Sequence, residues 1–303
     1  MRLGHIISAY QFDKKTLEQI FILFKKIKAQ KYKKNLLAGK IMATLFYEPS
    51  TRTRLSFESA MLRLGGNVIS TESASQFSSA AKGETLEDTI RVINPYCDVI
   101  VIRHYNEGAS EIASKYSKVP VINAGDGRGE HPTQALLDLY TIFSKFKSTN
   151  LTVAMVGDLK NGRTIHSLCP FLSHYPKIKI IFISPKALAA PQSLKEYLKQ
   201  KGIHFEETED FKNVVQADVI YQTRIQKERF KSARDYQKYF GKYIIDKNIL
   251  KILKKTAVIM HPLPRVNEIT QEVDIDGRAI YFEEAANGLY TRMALLLYLF
   301  DKT

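Results

Sequence analysis

IMATLFYEPSTRTRLSFESAMLRLGGNVIST, residues 41–71, changes pattern three times in one short run. IMATLFYE (41–48) is an apolar run of strand length. Phe57, Ala60, Met61 and Leu64 then fall at i, i+3, i+4 and i+7, which predicts a helix over 52–64. Gly65 and Gly66 stop it, and NVIST (67–71) reads as a second strand. The helix start is unusual. Ser50 or Thr51 is placed to cap it, because a hydroxyl oxygen can accept from an orphan backbone N–H. Arg52 and Arg54 then sit in the first turn, where the helix dipole is already positive. Stacking cations there suits a bound anion. The plainer alternative is a surface helix start with two solvated arginines. Four consecutive hydrogen-bonding residues in the same turn weigh against it.

The same alternation continues outward. A helix is expected around 14–30, strands at 98–104 and 119–125, and a helix at 84–95. A long amphipathic helix runs from Thr133 to about Phe146, and KSTN marks a boundary. A second series comes after it, with strands at 151–158, 178–185, 203–208, 217–224 and 256–262 and helices near 163–174, 192–201 and 247–254. AIYF (279–282) reads as a short late strand and 285–301 as a closing helix. Strands alternating with helices imply parallel sheets covered on both faces. The fold class is therefore α/β: two doubly wound parallel-sheet domains joined by long helices. Ligands of such sheets bind beyond the carboxyl ends of the strands.

Composition sets outer limits. The chain has 303 residues, a length that suits two domains. No apolar run approaches the roughly 20 residues that span a bilayer, so no membrane partner is expected. The N-terminal stretch lacks a signal-peptide pattern. Cys97 and Cys169 form no metal or redox spacing, and a reduced, cytoplasmic protein is the natural expectation. The 45 basic against 31 acidic residues give a net charge of +14. Most of the excess is scattered Lys, as in FKKIKAQKYKKN, with no nucleic-acid-binding motif beside it. A solvated surface accounts for it, and no nucleic-acid partner is expected.

The candidate functional residues lie just past the strands. Ser50, Thr51, Arg52 and Thr53 can form an oxyanion cradle, and Arg103 at a strand end would add a guanidinium. In HPTQ (131–134), His131 and Gln134 stand one turn apart at a helix start. A neutral His is favoured there and would donate to a carbonyl oxygen, although a simple helix cap is as good a reading of the pair alone. GDLKNGRT (157–164) is one residue from a P-loop, with Arg163 where Lys belongs. Arg prefers planar anions, so Arg163 reads as a carboxylate binder, the P-loop being a lesser alternative without a convincing partner motif. TRIQKER (223–229) offers Arg224 and Gln226 on one side, with Glu228 able to hold an arginine. HPLPR (261–265) exposes rigid carbonyls, with one X-Pro bond a candidate for the cis form. SSAAKGE (78–84) reads either as an ordinary loop or as a loop delivering Lys82 to an anion.

STRTR, the AKGET loop, Arg103-His104, HPTQ, DLKNGRTIHS, TRIQKER and HPLPR occur in the order found in the aspartate/ornithine carbamoyltransferase family, which the chain closely resembles. The resemblance covers essentially the whole chain, and STRTR with HPTQ is specific to that family. It implies a carbamoyl-phosphate-binding domain over 1–132 completed by a helix at 285–303, an interdomain helix at 133–148, and an aspartate-binding domain over 149–284. It implies that Ser50, Thr51, Arg52 and Thr53 bind the phosphate of carbamoyl phosphate. Arg103, Thr53 and His131 would contact the carbamoyl carbonyl, and Gln134 with the carbonyls of Pro262 and Leu263 its NH₂. Arg163, Arg224 and Gln226, with Lys82 and Leu263, would bind L-aspartate. Ser78 and Lys82 would come from a neighbouring subunit, making a homotrimer with shared sites. Glu48 would pair with Arg163 and Arg224 across the domain gap in a closed form, and Glu228 would orient Arg224. No metal or organic cofactor is implied, and a regulatory chain is left open as a partner. The implied reaction gives N-carbamoyl-L-aspartate and phosphate, an early step of pyrimidine synthesis. Ornithine-type members carry a Cys in the HPLPR loop; Pro262 and Leu263 stand here, which with Arg163 and Arg224 favours a dicarboxylate acceptor. Carbamoylation of another acceptor, and a nucleotide- or polyanion-binding protein, are the alternatives. Asn161 stands where some members have Tyr, and Arg128-Gly129-Glu130 is assigned no role.

Overall fold

Two sheets of apolar, largely β-branched strands organise the chain, each in its own unit. The structure, a computed structural model, describes residues 3–72, 83–225, 230 and 232–302. One unit is Met1–Leu137 with Ala286–Thr303, and the other is Asp138–Ala285.

The first unit opens with α1 (Lys14–Lys28), capped by Asp13, whose carboxylate accepts the Thr16 N–H at 2.7 Å. Leu17, Ile20, Phe24 and Ile27 recur at helical spacing and are buried. Next come β1 (Ile41–Phe46), α2 (Thr51–Arg63), β2 (Asn67–Glu72), α3 (Leu86–Ile93), β3 (Val99–His104), α4 (Ala109–Tyr116), β4 (Val121–Asp126) and α5 (Pro132–Lys145). The four strands are parallel in the order β2-β1-β3-β4. From β1 the chain steps outward to β2, then returns past β1 to β3 and β4. The direction of winding therefore reverses between β1 and β3, where doubly wound sheets bind ligands. Ala43, Leu45, Ile100, Ile102 and Val121 pack with Ile90 and Ala113 in one apolar layer.

The second unit carries β5 (Thr152–Val156), α6 (Arg163–Leu172), β6 (Lys179–Ile183), α7 (Gln192–Gln200), β7 (His204–Thr208), β8 (Val219–Gln222), α8 (Ala233–Gln237), α9 (Lys247–Ile252) and β9 (Val258–Met260). Its parallel order is β7-β6-β5-β8-β9, so the reversal falls between β5 and β8. The last helix, α10 (Tyr281–Leu299), begins in this unit and ends in the first. The other boundary, between Leu137 and Asp138, likewise lies inside a helix, α5.

Two expected elements differ from the structure, and α4 and α8 have no counterpart among the expected ones. AIYF (279–282) is not a strand. Ala279 makes a single parallel bridge with Ile259, and Tyr281 already begins α10, four residues before the expected start. A short apolar run does not distinguish a strand from a buried helix turn, and Glu283 and Glu284 favour a helix N-terminus. The helix expected over 84–95 is trimmed to α3 because Thr85 caps it and Asn94-Pro95-Tyr96 tightens into a 3₁₀ turn. Among the described residues no helix is long and apolar enough to cross a membrane.

Candidate active site

In the first unit the site begins where β1 and β3 end side by side. Phe46 and Arg103 are register partners, and the Tyr47 N–H donates to the Arg103 carbonyl at 2.9 Å. The chain then turns into α2 with Ser50 at the N-cap position. The expected hydroxyl cap is absent: Ser50 has ψ 89° and its side chain makes no capping bond. The capped starts at Asp13 and Thr85 have ψ of 167° and 158°. The first helical bond runs from the Arg54 N–H to the Ser50 carbonyl, 3.1 Å. The Thr51, Arg52 and Thr53 amides thus open the helix without a cap from the Ser50 side chain, an arrangement that favours an anion.

Arg52 is exposed, and partial desolvation lowers its guanidinium pKa without discharging it. Thr53, the next residue, is buried. Arg54 is held by Glu72 at 3.0 Å and Glu58 at 3.8 Å, and Glu58 also accepts from the Ser70 and Thr44 hydroxyls. Arg54 therefore braces α2 against β2. Arg103 is buried, with one nitrogen 3.1 Å from a Glu48 oxygen and another donating to the Ala124 carbonyl at 3.4 Å. Glu48 thus has one partner within its own unit. The Arg103-His104 pair divides its labour. His104 stacks with Tyr47 and Tyr105 at centroid distances of 4.7 and 4.2 Å, and its Nδ1 accepts the Asn106 N–H. Burial lowers its pKa, so it is a neutral packing residue.

β4 leads to His131 through a tight loop. Gly127, at φ +51°, has room for no Cβ, which would stand 2.8 Å from the Tyr105 carbonyl. Asp126 accepts the N–H groups of Gly108 and Glu130, at 3.1 and 2.9 Å. Glu130, to which the sequence assigns no role, accepts the Ala9 N–H at 2.7 Å and the Ser8 hydroxyl, tying this loop to the N-terminal segment. The His131 carbonyl accepts from Gln134 and Ala135, so His131 does cap α5 with its main chain. Its buried ring lies 3.5 Å from the Thr133 hydroxyl, and Gln134 is half-buried one turn on. Ser78 and Lys82 lie outside the described residues.

In the second unit the reversal point brings two arginine-bearing segments together by a close backbone contact. Gly157 comes directly after β5 at φ +111°, and a Cβ there would stand 2.4 Å from the Thr223 carbonyl. Thr223 returns both its N–H (2.8 Å) and its hydroxyl (2.7 Å) to the Val156 carbonyl. The loop to Arg163 and the strand end carrying Arg224 are laced side by side. Arg163 is the first residue of α6, behind Gly162, which supplies no side-chain cap. Asn161 closes the loop: its N–H and side-chain amide both donate to Asp158 at 3.0–3.1 Å. Burial raises the Asp158 pKa, and these bonds work against that rise. Gln226 and Glu228 lie outside the described residues.

Beyond β9 the HPLPR loop hangs on His261, which the sequence pattern does not single out. The Leu263 N–H donates to His261 Nδ1 at 2.8 Å, so Nδ1 is the acceptor and Nε2 carries the proton to Glu268, also at 2.8 Å. Burial lowers the His261 pKa, and the nearby charges of Arg265 and Arg224 add to this against Glu268. Burial alone would raise Glu268, but the bond and charge of His261 together with main-chain N–H groups outweigh it and hold the carboxylate low. Glu268 also accepts the Val266 and Asn267 N–H groups. Leu263 has φ +50°, a left-handed conformation costing a side-chain-bearing residue about 1–2 kcal/mol. The Leu263–Pro264 bond is cis. Arg265 is committed to Asp274 and the Tyr281 hydroxyl.

Proteins of known structure and sequence resemble this chain along its whole length. Residues 4–144 match the family model described as the aspartate/ornithine carbamoyltransferase carbamoyl-P binding domain, and residues 149–299 match its Asp/Orn binding domain. The chain is 54% identical over 300 residues to the chloroplastic aspartate carbamoyltransferase of Arabidopsis thaliana, covering 97% of this chain and 77% of that one. The catalytic subunit of M. jannaschii aspartate transcarbamoylase superposes with a TM-score of 0.90 at 47% identity, over 99% of both chains. Aspartate transcarbamoylase from Trypanosoma cruzi, solved with carbamoyl phosphate and aspartate, gives a TM-score of 0.90 at 40% identity, over 98% of this chain and 97% of that one.

Proposed function

This chain belongs to the aspartate/ornithine carbamoyltransferase family, and on that premise we infer that it transfers the carbamoyl group of carbamoyl phosphate to the α-amine of L-aspartate. The products are N-carbamoyl-L-aspartate and phosphate. The observation that carries the reading is the start of α2, which the Ser50 side chain leaves uncapped, beside Arg52 and Arg103 at the winding reversal of the first sheet. Arg163 and Arg224 at the corresponding reversal of the second sheet supply two cations suited to two carboxylates.

The roles follow from the family resemblance. Ser50, Thr51, Arg52 and Thr53 hold the phosphate through main-chain amides, hydroxyls and a guanidinium. Residues 1–132 with 285–303 form the carbamoyl-phosphate-binding domain and 149–284 the aspartate-binding one, with 133–148 linking them. The neutral amine attacks the carbamoyl carbon, forming a C–N bond. Arg52, Thr53, Arg103 and His131 stabilise the oxygen as it becomes an oxyanion. Gln134 and the Pro262 and Leu263 carbonyls accept from the carbamoyl NH₂. The C–O bond to phosphate breaks, and the departing phosphate takes the amine proton. Gln226 joins the aspartate-binding arginines, and Glu228 orients Arg224. Glu48 serves the closed form by pairing with Arg163 and Arg224. Binding two anions in register supplies much of the rate.

The same reading makes the protein a homotrimer in which a neighbouring subunit gives Ser78 and Lys82. A regulatory chain is a candidate partner, since the M. jannaschii relative is named a catalytic subunit. A cytoplasmic location fits two buried free cysteines, although the Arabidopsis relative is chloroplastic. The product would enter de novo pyrimidine synthesis. Product identification tests the reaction: label from carbamoyl-¹⁴C phosphate should appear in N-carbamoyl-aspartate, and label found only in free carbamate would refute it. Mixed trimers of Lys82→Ala and Arg52→Ala chains should regain part of the activity that each parent lacks; none regained in verified mixtures would refute the shared site.

A further inference from the structure

The HPLPR loop is held from below by a buried acid network that the mechanism does not use. Glu284 lies in the first turn of α10 and is 1% exposed. Its Oε2 accepts the main-chain N–H of His261 at 2.8 Å. On its other side lies Asp138 in α5, fully buried, whose Oδ2 accepts the Tyr221 hydroxyl at 2.7 Å. Tyr221 belongs to β8, two residues before Thr223 and three before Arg224.

We propose that Glu284 is a positioning residue for carbamoyl transfer: by taking the His261 N–H it sets where the Pro262 and Leu263 carbonyls stand. The proposal rests on the function inferred above. Three observations support it. The loop stores strain at Leu263, so it needs outside constraint to hold its shape. Its constraints converge on His261, with the ring fixed by Leu263 and Glu268 and the main chain by Glu284. Burial and the neighbouring Asp138 push the Glu284 pKa well up, which favours the neutral carboxyl, while Oε2 serves the loop as acceptor. The chain Tyr221–Asp138–Glu284–His261 thus connects the end of β8, where Arg224 emerges, to the carbonyl-bearing loop.

The test compares three variants of the full chain. Glu284→Gln preserves an acceptor oxygen for His261 and stays neutral beside Asp138, and should keep kcat within about threefold. Glu284→Met matches the volume but removes the acceptor, and should lower kcat at least tenfold. Glu284→Asp withdraws the carboxyl by one methylene and should lower kcat at least fivefold; it keeps the proposal testable should the Met variant not fold. In both impaired variants the dissociation constant for inorganic phosphate should stay within twofold, because the cradle at α2 is untouched. A merely structural role would lower the melting temperature and leave kcat of the folded protein unchanged, and that result would overturn the proposal. Equal losses in the Gln and Met variants would also overturn it. Wild-type protein that forms no carbamoyl aspartate would overturn the functional reading and this proposal together, whereas active wild type with an unimpaired Asp variant would overturn this one alone.

Discussion

Arg52→Ala should damage activity and stabilise the free protein at once. Arg52 occupies the first turn of α2, where the helix start is positive, the Ser50 side chain does not cap it, and the guanidinium is exposed. Removing a cation from that end relieves repulsion of about 0.3–1 kcal/mol, and Ala is at least as good a helix former as Arg. Little packing is lost from an exposed side chain. Without phosphate the variant should therefore melt about 1–4 °C higher than wild type. Turnover should fall by about 10²–10³, the usual loss for one donor to a developing oxyanion, while the Thr51–Thr53 amides and Arg103 keep residual activity. Phosphate at about 100 times its Kd should stabilise wild type by roughly 2.7 kcal/mol and the variant by clearly less. The assays are carbamoyl-aspartate formation and thermal melts with and without phosphate. A variant that is less stable without phosphate, or active within tenfold of wild type, would refute the anion cradle.

Other expectations rest on the same geometry. Arg224→Ala should raise KM for aspartate by about 10²-fold, from the loss of charge-assisted bonds of roughly 1.5–3 kcal/mol each, and leave phosphate affinity unchanged; steady-state kinetics with a phosphate titration checks both. Gly157→Ala would drive a Cβ into the Thr223 carbonyl at positive φ and should cost about 3 kcal/mol, lowering the melting temperature by roughly 6–12 °C. A neutral shift there would contradict the close contact. Glu284 holds its proton in the folded state, whereas the unfolded chain releases it near the ordinary value of about 4.3. Its contribution is thus full below that value and is lost as pH rises toward the folded pKa. Glu284→Gln, still facing Asp138, Tyr221 and His261, should gain stability over wild type from pH 5 to pH 8; parallel melting curves would contradict the buried acid.

The sheets were legible because their central strands are buried on both faces and read as apolar runs, VIVI (99–102) and VAMV (153–156) among them. The reversal points were legible through their arginines: Arg52, Arg163 and Arg224 fall past strand ends, and Arg103 near the end of its own strand. The features that stayed hidden depend on distance along the chain. Asp138 meets Tyr221 across 83 residues, and His261 meets Glu284 across 23, so no local pattern marks either pair. Ser50 misled for a different reason: its residue type suits a cap, but its backbone turns elsewhere. Glu130 was silent because its partner segment, Ser8-Ala9, lies 121–122 residues earlier.

Acceptor discrimination is the most direct test of the central claim. Carbamoyl phosphate would be supplied with aspartate and, in parallel, with ornithine, and kcat/KM measured for each. Two half-buried arginines suited to a dicarboxylate should reject a cationic diamino acid, so the ratio should favour aspartate by on the order of 10³ or more. Citrulline formed as readily as carbamoyl aspartate would contradict the assignment of Arg163 and Arg224.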